Sequence, residues 1–177
     1  MQRVSVVGNS GSGKTTLAGA LGRAMGVPHL ELDGVFHQPN WEPLDRDEFR
    51  RRVGEFVAAD RWVIDGNYSA VRDLIWARAD TVVWLDPPRY RVMRQILWRT
   101  VRRAALRKEL WNGNREPALW TIFTDREHIV RWAIATRKLY AERIPAVAAA
   151  RPDLPIVRLR RRGDAERWLR EVVAPLR

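Results

Sequence analysis

A chain of 177 residues, 46% hydrophobic and 30% charged, is long enough for one globular core and short for two. The absence of cysteine excludes disulfides and thiolate metal sites. No stretch approaches the roughly 18 consecutive apolar residues of a membrane helix. The formal charge of +11 invites a nucleic-acid reading, although arginine is abundant throughout and only Lys14, Lys108 and Lys138 are lysines.

The N-terminus enters a strand pattern at once and has no long apolar leader, so a soluble, cytoplasmic protein is expected. Val4, Val6 and Val7 form a β-branched run ended by Gly8, the pattern of a buried strand. Leu17, Ala18, Leu21 and Met25 then share one face of a helix that Gly26 ends. His29 to Leu32 reads as a second strand closing at Asp33-Gly34, and residues 35–44, with Pro39, Asn40 and Pro43, read as an irregular loop. Asp45 followed by Glu48 resembles a capping box before the helical face Phe49, Val53, Phe56 and Val57. Trp62 to Ile64 is a third strand ending at Asp65-Gly66, and Thr81 to Leu85 a fourth ending at Asp86-Pro87-Pro88.

A long basic helix is expected from about Arg89 to about Leu110, broken by Asn112-Gly113-Asn114. Thr124 with Glu127 opens another helix through Trp132 and Leu139, which Pro145 kinks or ends. Ile156 to Leu159 is a fifth strand. Asp164 is expected to cap a last helix with Trp168, Leu169, Val172 and Val173 inward. Short apolar strands alternating with helices predict an α/β fold, a parallel sheet covered on both faces. The nine tryptophans predict large buried aromatic bodies.

Gly8-Asn9-Ser10-Gly11-Ser12-Gly13-Lys14-Thr15 matches G-x-x-x-x-G-K-[ST] between a strand and a helix, the context that motif requires. Its glycines let backbone N–H groups curl round phosphate oxygens, and the helix that follows presents its N-terminal dipole to the anion. The nucleotide-binding set is therefore Gly8, Ser10, Gly11, Ser12, Gly13, Lys14, Thr15 and Thr16. Lys14 reaches the β- and γ-phosphates, and the Thr15 hydroxyl ligates Mg2+. ATP is expected, since no guanine-reading Asn-Lys-x-Asp signature is present.

Asp65, at the end of the third strand, is the second candidate for holding Mg2+ or its water shell. Asp33, after the second strand, is placed to hold or deprotonate a phosphoryl acceptor. Each also fits a plain Asp-Gly turn. Asp86 before two prolines is a weaker candidate. Residues 89–115 carry nine basic side chains against Glu109 alone. Arg99, Arg103 and Arg107 share a face there, and Arg99 and Arg103 are taken as catalytic alongside Lys14 and Asp33. Arg160 to Arg162 either border the nucleotide base or cap the sheet. His29, His37 and His128 lack metal-ligand spacing; His37 could touch the acceptor or lie at the surface.

These residues together resemble the small phosphate-binding-loop kinases of the nucleoside-monophosphate-kinase and shikimate-kinase type. The chain looks most like bacterial adenylate-kinase-related "topology modulation" proteins. The resemblance rests on Gly8 to Thr15, Leu32-Asp33, Val63 to Tyr68, Leu85-Asp86 and Trp111 to Glu116. It implies a three-layer P-loop NTPase fold with a five-stranded parallel sheet in the order 2-3-1-4-5. It also implies an Arg-rich helical lid over about residues 89–125, all within a single domain spanning 1–177. Asn67-Tyr68 stands where adenylate kinases carry Phe-Pro-Arg, with Arg72 a substitute at a different distance, so the resemblance carries over on the ATP side and leaves the acceptor open. The implied acceptor-binding set is Asp33, His37, Tyr68 and Arg72.

Two functions follow. The first is ATP-Mg2+-dependent phosphoryl transfer to a small acceptor, either a nucleoside monophosphate or a hydroxylated metabolite. The second, less favoured, is a regulatory nucleotide-binding protein acting on DNA or another macromolecule. Neither involves a membrane.

Overall fold

The β-branched runs of the sequence assemble in the computed structural model into β1 (Arg3–Gly8), β2 (His29–Glu31), β3 (Trp62–Asp65), β4 (Thr81–Leu85) and β5 (Ile156–Leu159). The structure describes residues 1–88, 90–96, 98, 109–114, 144, 146–147 and 149–173. All strand pairs are parallel and the order is β2-β3-β1-β4-β5. Strands β3 and β4 are buried along their whole length and β1 from its second residue onward, so both of their faces must be apolar.

Two cores form, one on each face of the sheet. On one side Val4, Val6, Val63, Val83 and Leu85 pack against Leu17, Ala18, Leu21 and Met25 of α1 (Lys14–Met25) and against Trp168, Leu169 and Val172 of α5 (Arg162–Val173). On the other side Val7, Trp62, Ile64, Val82 and Trp84 meet Phe49, Val53 and Val57 of α3 (Arg46–Val57) and Ile75 of α4 (Arg72–Arg78). Each fully buried side chain of the size of Leu21 or Ile64 contributes about 1.5–3 kcal/mol. Trp62, the largest fully buried side chain, donates its indole N–H to the Val57 carbonyl at 3.3 Å.

The helix ends follow their sequence signals. Asp45 caps α3, its carboxylate accepting from the Asp47 and Glu48 amides at 2.9 and 3.1 Å. Arg51 and Arg52 bracket Glu48 on the outer face and hold its carboxyl down to about 2. Gly26 closes α1 in the left-handed conformation. Asp164 differs from its expected place: α5 begins at Arg162, and Asp164 sits in the first turn, reaching back to the Arg161 amide at 2.9 Å.

Three further segments depart from the sequence expectation. Strand β2 stops at Glu31, and Leu32 to Phe36 form a short helix, α2, so Asp33 is helical and not part of a turn. The fully buried Leu32 side chain draws that residue inward and ends the extended run. Residues 35–44 are ordered by a 3-10 turn at Pro39–Trp41 and a bridge between His37 and Pro43. The basic helix is present over 90–96 but does not reach Leu110, where the backbone is extended before a 3-10 turn at Trp111–Gly113. The helix expected from Thr124 lies outside the described residues.

Candidate functional site

Parallel pairing brings the carboxyl ends of β1, β2 and β3 to one edge of the sheet. The register sets Glu31 beside Asp65, and Asp65 beside Val6, two residues before the loop that joins β1 to α1. That loop closes on itself, with the Ser12 amide donating to the Asn9 carbonyl at 3.1 Å. Gly13 takes φ 96°, which a side chain would resist, and stands at the N-cap of α1 without capping it. The first-turn amides of α1 therefore have no side-chain cap and face outward with the positive end of the helix dipole. Among the described residues the buried Ser12 hydroxyl has no partner. Lys14 bends back so that Nζ meets the Asn9 carbonyl at 3.1 Å. Uncapped amides, an orphaned hydroxyl and a lysine in one small loop suit a polyphosphate.

Thr15 begins the acidic half of the site. Its hydroxyl lies 3.0 Å from Asp65 Oδ1 and 3.1 Å from Glu31 Oε1. One hydroxyl hydrogen serves two carboxylates, so the trio holds surplus oxygen lone pairs and suits a cation. Asp65 is buried, and its other oxygen lies 2.7 Å from His29 Nε2. Burial, first, and the neighbouring carboxylates of Asp65 and Asp33 raise the Glu31 carboxyl above its ordinary value, against the lowering effect of its hydrogen bonds from Trp111 and Thr15. Among the described residues no group of three or more His, Asp or Glu side chains forms a metal cage. Mg2+ does not need one, because it is held by one or two carboxylates and keeps phosphate and water ligands.

The expected acceptor residues converge next door. Tyr68, just past β3, donates its hydroxyl to Asp33 Oδ1 at 2.8 Å and lies 3.3 Å from His37 Nε2. His37 is half-buried, not at the surface, and burial lowers its pKa against the raising effect of Asp33. Arg72 opens α4 and shares a cleft with Leu32, Tyr68 and Trp76; its guanidinium carbon is 5.6 Å from the Trp76 ring centre.

Four contributors had been given no site role by the sequence reading, although Asn67, Trp111 and Asn114 lie in segments that carry the resemblance. Glu31 carried no motif of its own. Asn67 forms a reciprocal pair with the Gly8 backbone, accepting from its amide at 3.2 Å and donating to its carbonyl, which ties β3 to the start of the phosphate loop. Trp111 donates its indole N–H to Glu31 Oε2 at 2.8 Å. Asn114 is buried, accepts from the Trp41 amide at 2.9 Å and donates to the Gln38 carbonyl at 2.8 Å. A Cβ on Gly34 would lie 2.9 Å from the Trp111 ring, so a glycine is needed where the two segments meet. The break expected at Asn112-Gly113-Asn114 is therefore a turn folded onto residues 31–41.

Elsewhere the expected roles divide. Asp86 is engaged by Arg158, whose guanidinium also lies 4.3 Å from the Trp84 ring centre, a structural pairing. Arg162 pairs with Glu166. The expected catalytic arginines Arg99 and Arg103, with Arg107, lie outside the described residues.

No family model and no curated protein sequence matches the chain. Solved structures do match over nearly its whole length. A gluconokinase from Sinorhizobium meliloti 1021 is 18% identical, with a TM-score of 0.55 over 99% of this chain and 95% of its own. A sugar kinase from Janibacter sp. HTCC2649 is 21% identical, with a TM-score of 0.56 over 99% and 94%. A shikimate kinase from Bacteroides thetaiotaomicron is 16% identical, with a TM-score of 0.57 over 99% and 98%. The chain has the P-loop NTPase fold shared with these small kinases. Among the described residues no helix is long and apolar enough to cross a membrane.

Proposed function

We propose that this chain is a cytoplasmic, single-domain small-molecule kinase that transfers the γ-phosphoryl group of ATP to a small-molecule acceptor. The observation that carries the reading is the continuous set of contacts from Thr15 of the phosphate loop through Glu31 and Trp111 to His37, Tyr68 and Asp33. It joins a loop suited to polyphosphate to a second polar site.

Bound ATP supplies the transferable group, and Mg2+ neutralises charge on it. The chain's own residues supply position and electrostatics. Lys14 and the first-turn amides of α1 hold phosphate oxygens, Thr15 and Asp65 hold the metal and its water shell, and Glu31 stands beside them. Asp33 orients the acceptor hydroxyl and takes its proton, while Tyr68 fixes the Asp33 carboxylate. His37 and Arg72 border the acceptor. Arg99 and Arg103, in a lid over about residues 89–125, stabilise charge on the transferred group. The acceptor is a nucleoside monophosphate or a hydroxylated metabolite. The adenylate-kinase-related likeness rests on sequence motifs alone, Val63 to Tyr68 and Trp111 to Glu116 among them, and the chemistry proposed follows from the site.

The test is ADP release by the purified protein in Mg-ATP, with and without a panel of acceptors. Stimulation by one acceptor is expected. Lys14→Ala should lose about 10²–10³-fold in turnover while its far-UV circular dichroism is unchanged. Full activity in that variant would sink the mechanism. Slow, acceptor-independent release together with salt-sensitive binding of duplex DNA would favour the regulatory reading instead.

A further inference from the structure

We propose that His29 is a positioning residue for the metal half of the site: it holds the Asp65 carboxylate so that Oδ1 is presented, beside Thr15, to Mg2+ or its water shell. This rests on the reading of Thr15 and Asp65 as metal-holding residues, and it names the side chain that fits Asp65 for that role.

The placement follows from strand geometry. Side chains two positions apart on a strand share a face. His29 and Glu31 therefore stand on one face of β2, and the register sets Val63 beside His29 and Asp65 beside Glu31. Val63 packs in the core that holds Leu17, Ala18 and Leu21 of α1, so this is the α1 face of the sheet. It is also the face to which the start of α1 delivers Thr15, whose hydroxyl meets Asp65.

Two glycines bring α1 close to His29. A Cβ on Gly22 would lie 3.2 Å from His29 Cβ, and a Cβ on Gly19 would lie 3.6 Å from His29 Nδ1. Gly19 and Gly22 are three residues apart and share a face of the helix. The imidazole is thus packed against the helix that carries Lys14 and Thr15, as well as hydrogen-bonded to β3.

That contact divides the two oxygens of Asp65. A carboxylate only accepts, so His29 Nε2 is the donor in the 2.7 Å contact with Oδ2. Only 2% of the Asp65 side chain is exposed, so solvent does not supply this donor instead. The other oxygen, Oδ1, lies 3.0 Å from the Thr15 hydroxyl, which is itself 3.1 Å from Glu31 Oε1. His29 occupies one oxygen and leaves the other on the side where the surplus lone pairs collect. Without that donor, a buried carboxylate beside a second carboxylate is held only by a hydroxyl hydrogen that both share. Hydrogen-bond partners behind a metal-holding carboxylate typically account for about 10- to 100-fold in metal affinity.

The experiment is calorimetric titration of ADP into the parent protein, His29→Leu and His29→Gln, in EDTA and over a series of Mg2+ concentrations. Leucine keeps bulk against α1 without a donor, and glutamine keeps a side-chain N–H. We expect Mg2+ to tighten ADP binding in the parent, and His29→Leu to raise the Mg2+ concentration needed for half of that effect by about 10- to 100-fold. Affinity for ADP in EDTA should be the same in all three proteins, and His29→Gln should recover most of the Mg2+ response. An unchanged Mg2+ midpoint in His29→Leu would make the contact merely structural and overturn the inference, with the metal assignment left intact. Equal weakening of ADP binding with and without Mg2+ would mean a damaged phosphate loop, and overturns it too. If the parent binds ADP without regard to Mg2+, or not at all, Thr15 and Asp65 lose their metal role and His29 loses its own with them.

Discussion

His37 and Glu31 are both titratable groups partly withdrawn from water, and their shifts run in opposite directions. Burial favours the neutral form of each, so it lowers the imidazole and raises the carboxyl. For His37 the folded pKa lies below the unfolded one. Its contribution to stability is therefore present above the unfolded value of about 6.5 and is lost as pH falls through the folded value. Stability should fall as pH drops below about 6.5, with a slope of at most about 1.4 kcal/mol per pH unit from this one proton, seen as a falling melting temperature that His37→Phe should flatten. Thermal scans of the two proteins across the range check this; parallel curves would remove His37 as the cause. Neither residue's environment could be read from its neighbours in sequence. Glu31 becomes a neighbour of Asp65 only because β2 pairs with β3, and His37 is enclosed only because Trp111 arrives from far along the chain.

At the scale of elements, α1 and α3 were legible because an apolar stripe and end signals coincide in each: Gly26 for α1, Asp45 with Glu48 for α3. Asp45→Ala should cost about 1 kcal/mol, lowering the melting temperature by about 2–4 °C. The short helices α2 and α4 were not legible. Seven residues or fewer give too little periodicity, and packing rather than propensity fixes them. Arg50 helps to hold α4 by bridging Asp73 and the Ala70 carbonyl. The turn at Trp111–Gly113 holds residues 31–41 in the same way. Asn114→Ala leaves the Trp41 amide and the Gln38 carbonyl without their partner, at about 1–3 kcal/mol each where they stay dry. Amide exchange at Trp41 should then accelerate by about tenfold or more, while exchange in β1 and β4 is unchanged; equal acceleration everywhere would mean that the loss is global.

Across the whole molecule, two cores on one sheet make the phosphate loop rigid at its base, while its ligand groups face outward. Binding to the folded state alone must stabilise it. Mg-ATP at a hundredfold over its dissociation constant should add about 2.7 kcal/mol, seen as a rise in melting temperature that Lys14→Ala abolishes. The sequence by itself determined the alternating α/β pattern, the strands rich in β-branched residues, and the eight-residue loop motif from Gly8 to Thr15 that is proposed to cradle phosphate. These are local: a periodicity of two or 3.6, and a loop whose glycines, lysine and threonine act within one turn. The resemblance to small kinases supplied the strand order, and the structure bears it out. Tertiary structure alone decided which acids meet, that Asn67 locks the Gly8 backbone, and that Trp111 and Asn114 close over the loop after β2. Those contacts join residues 34 to 80 positions apart. Their partners are chosen by sheet register and by burial, and no local pattern in the chain records either.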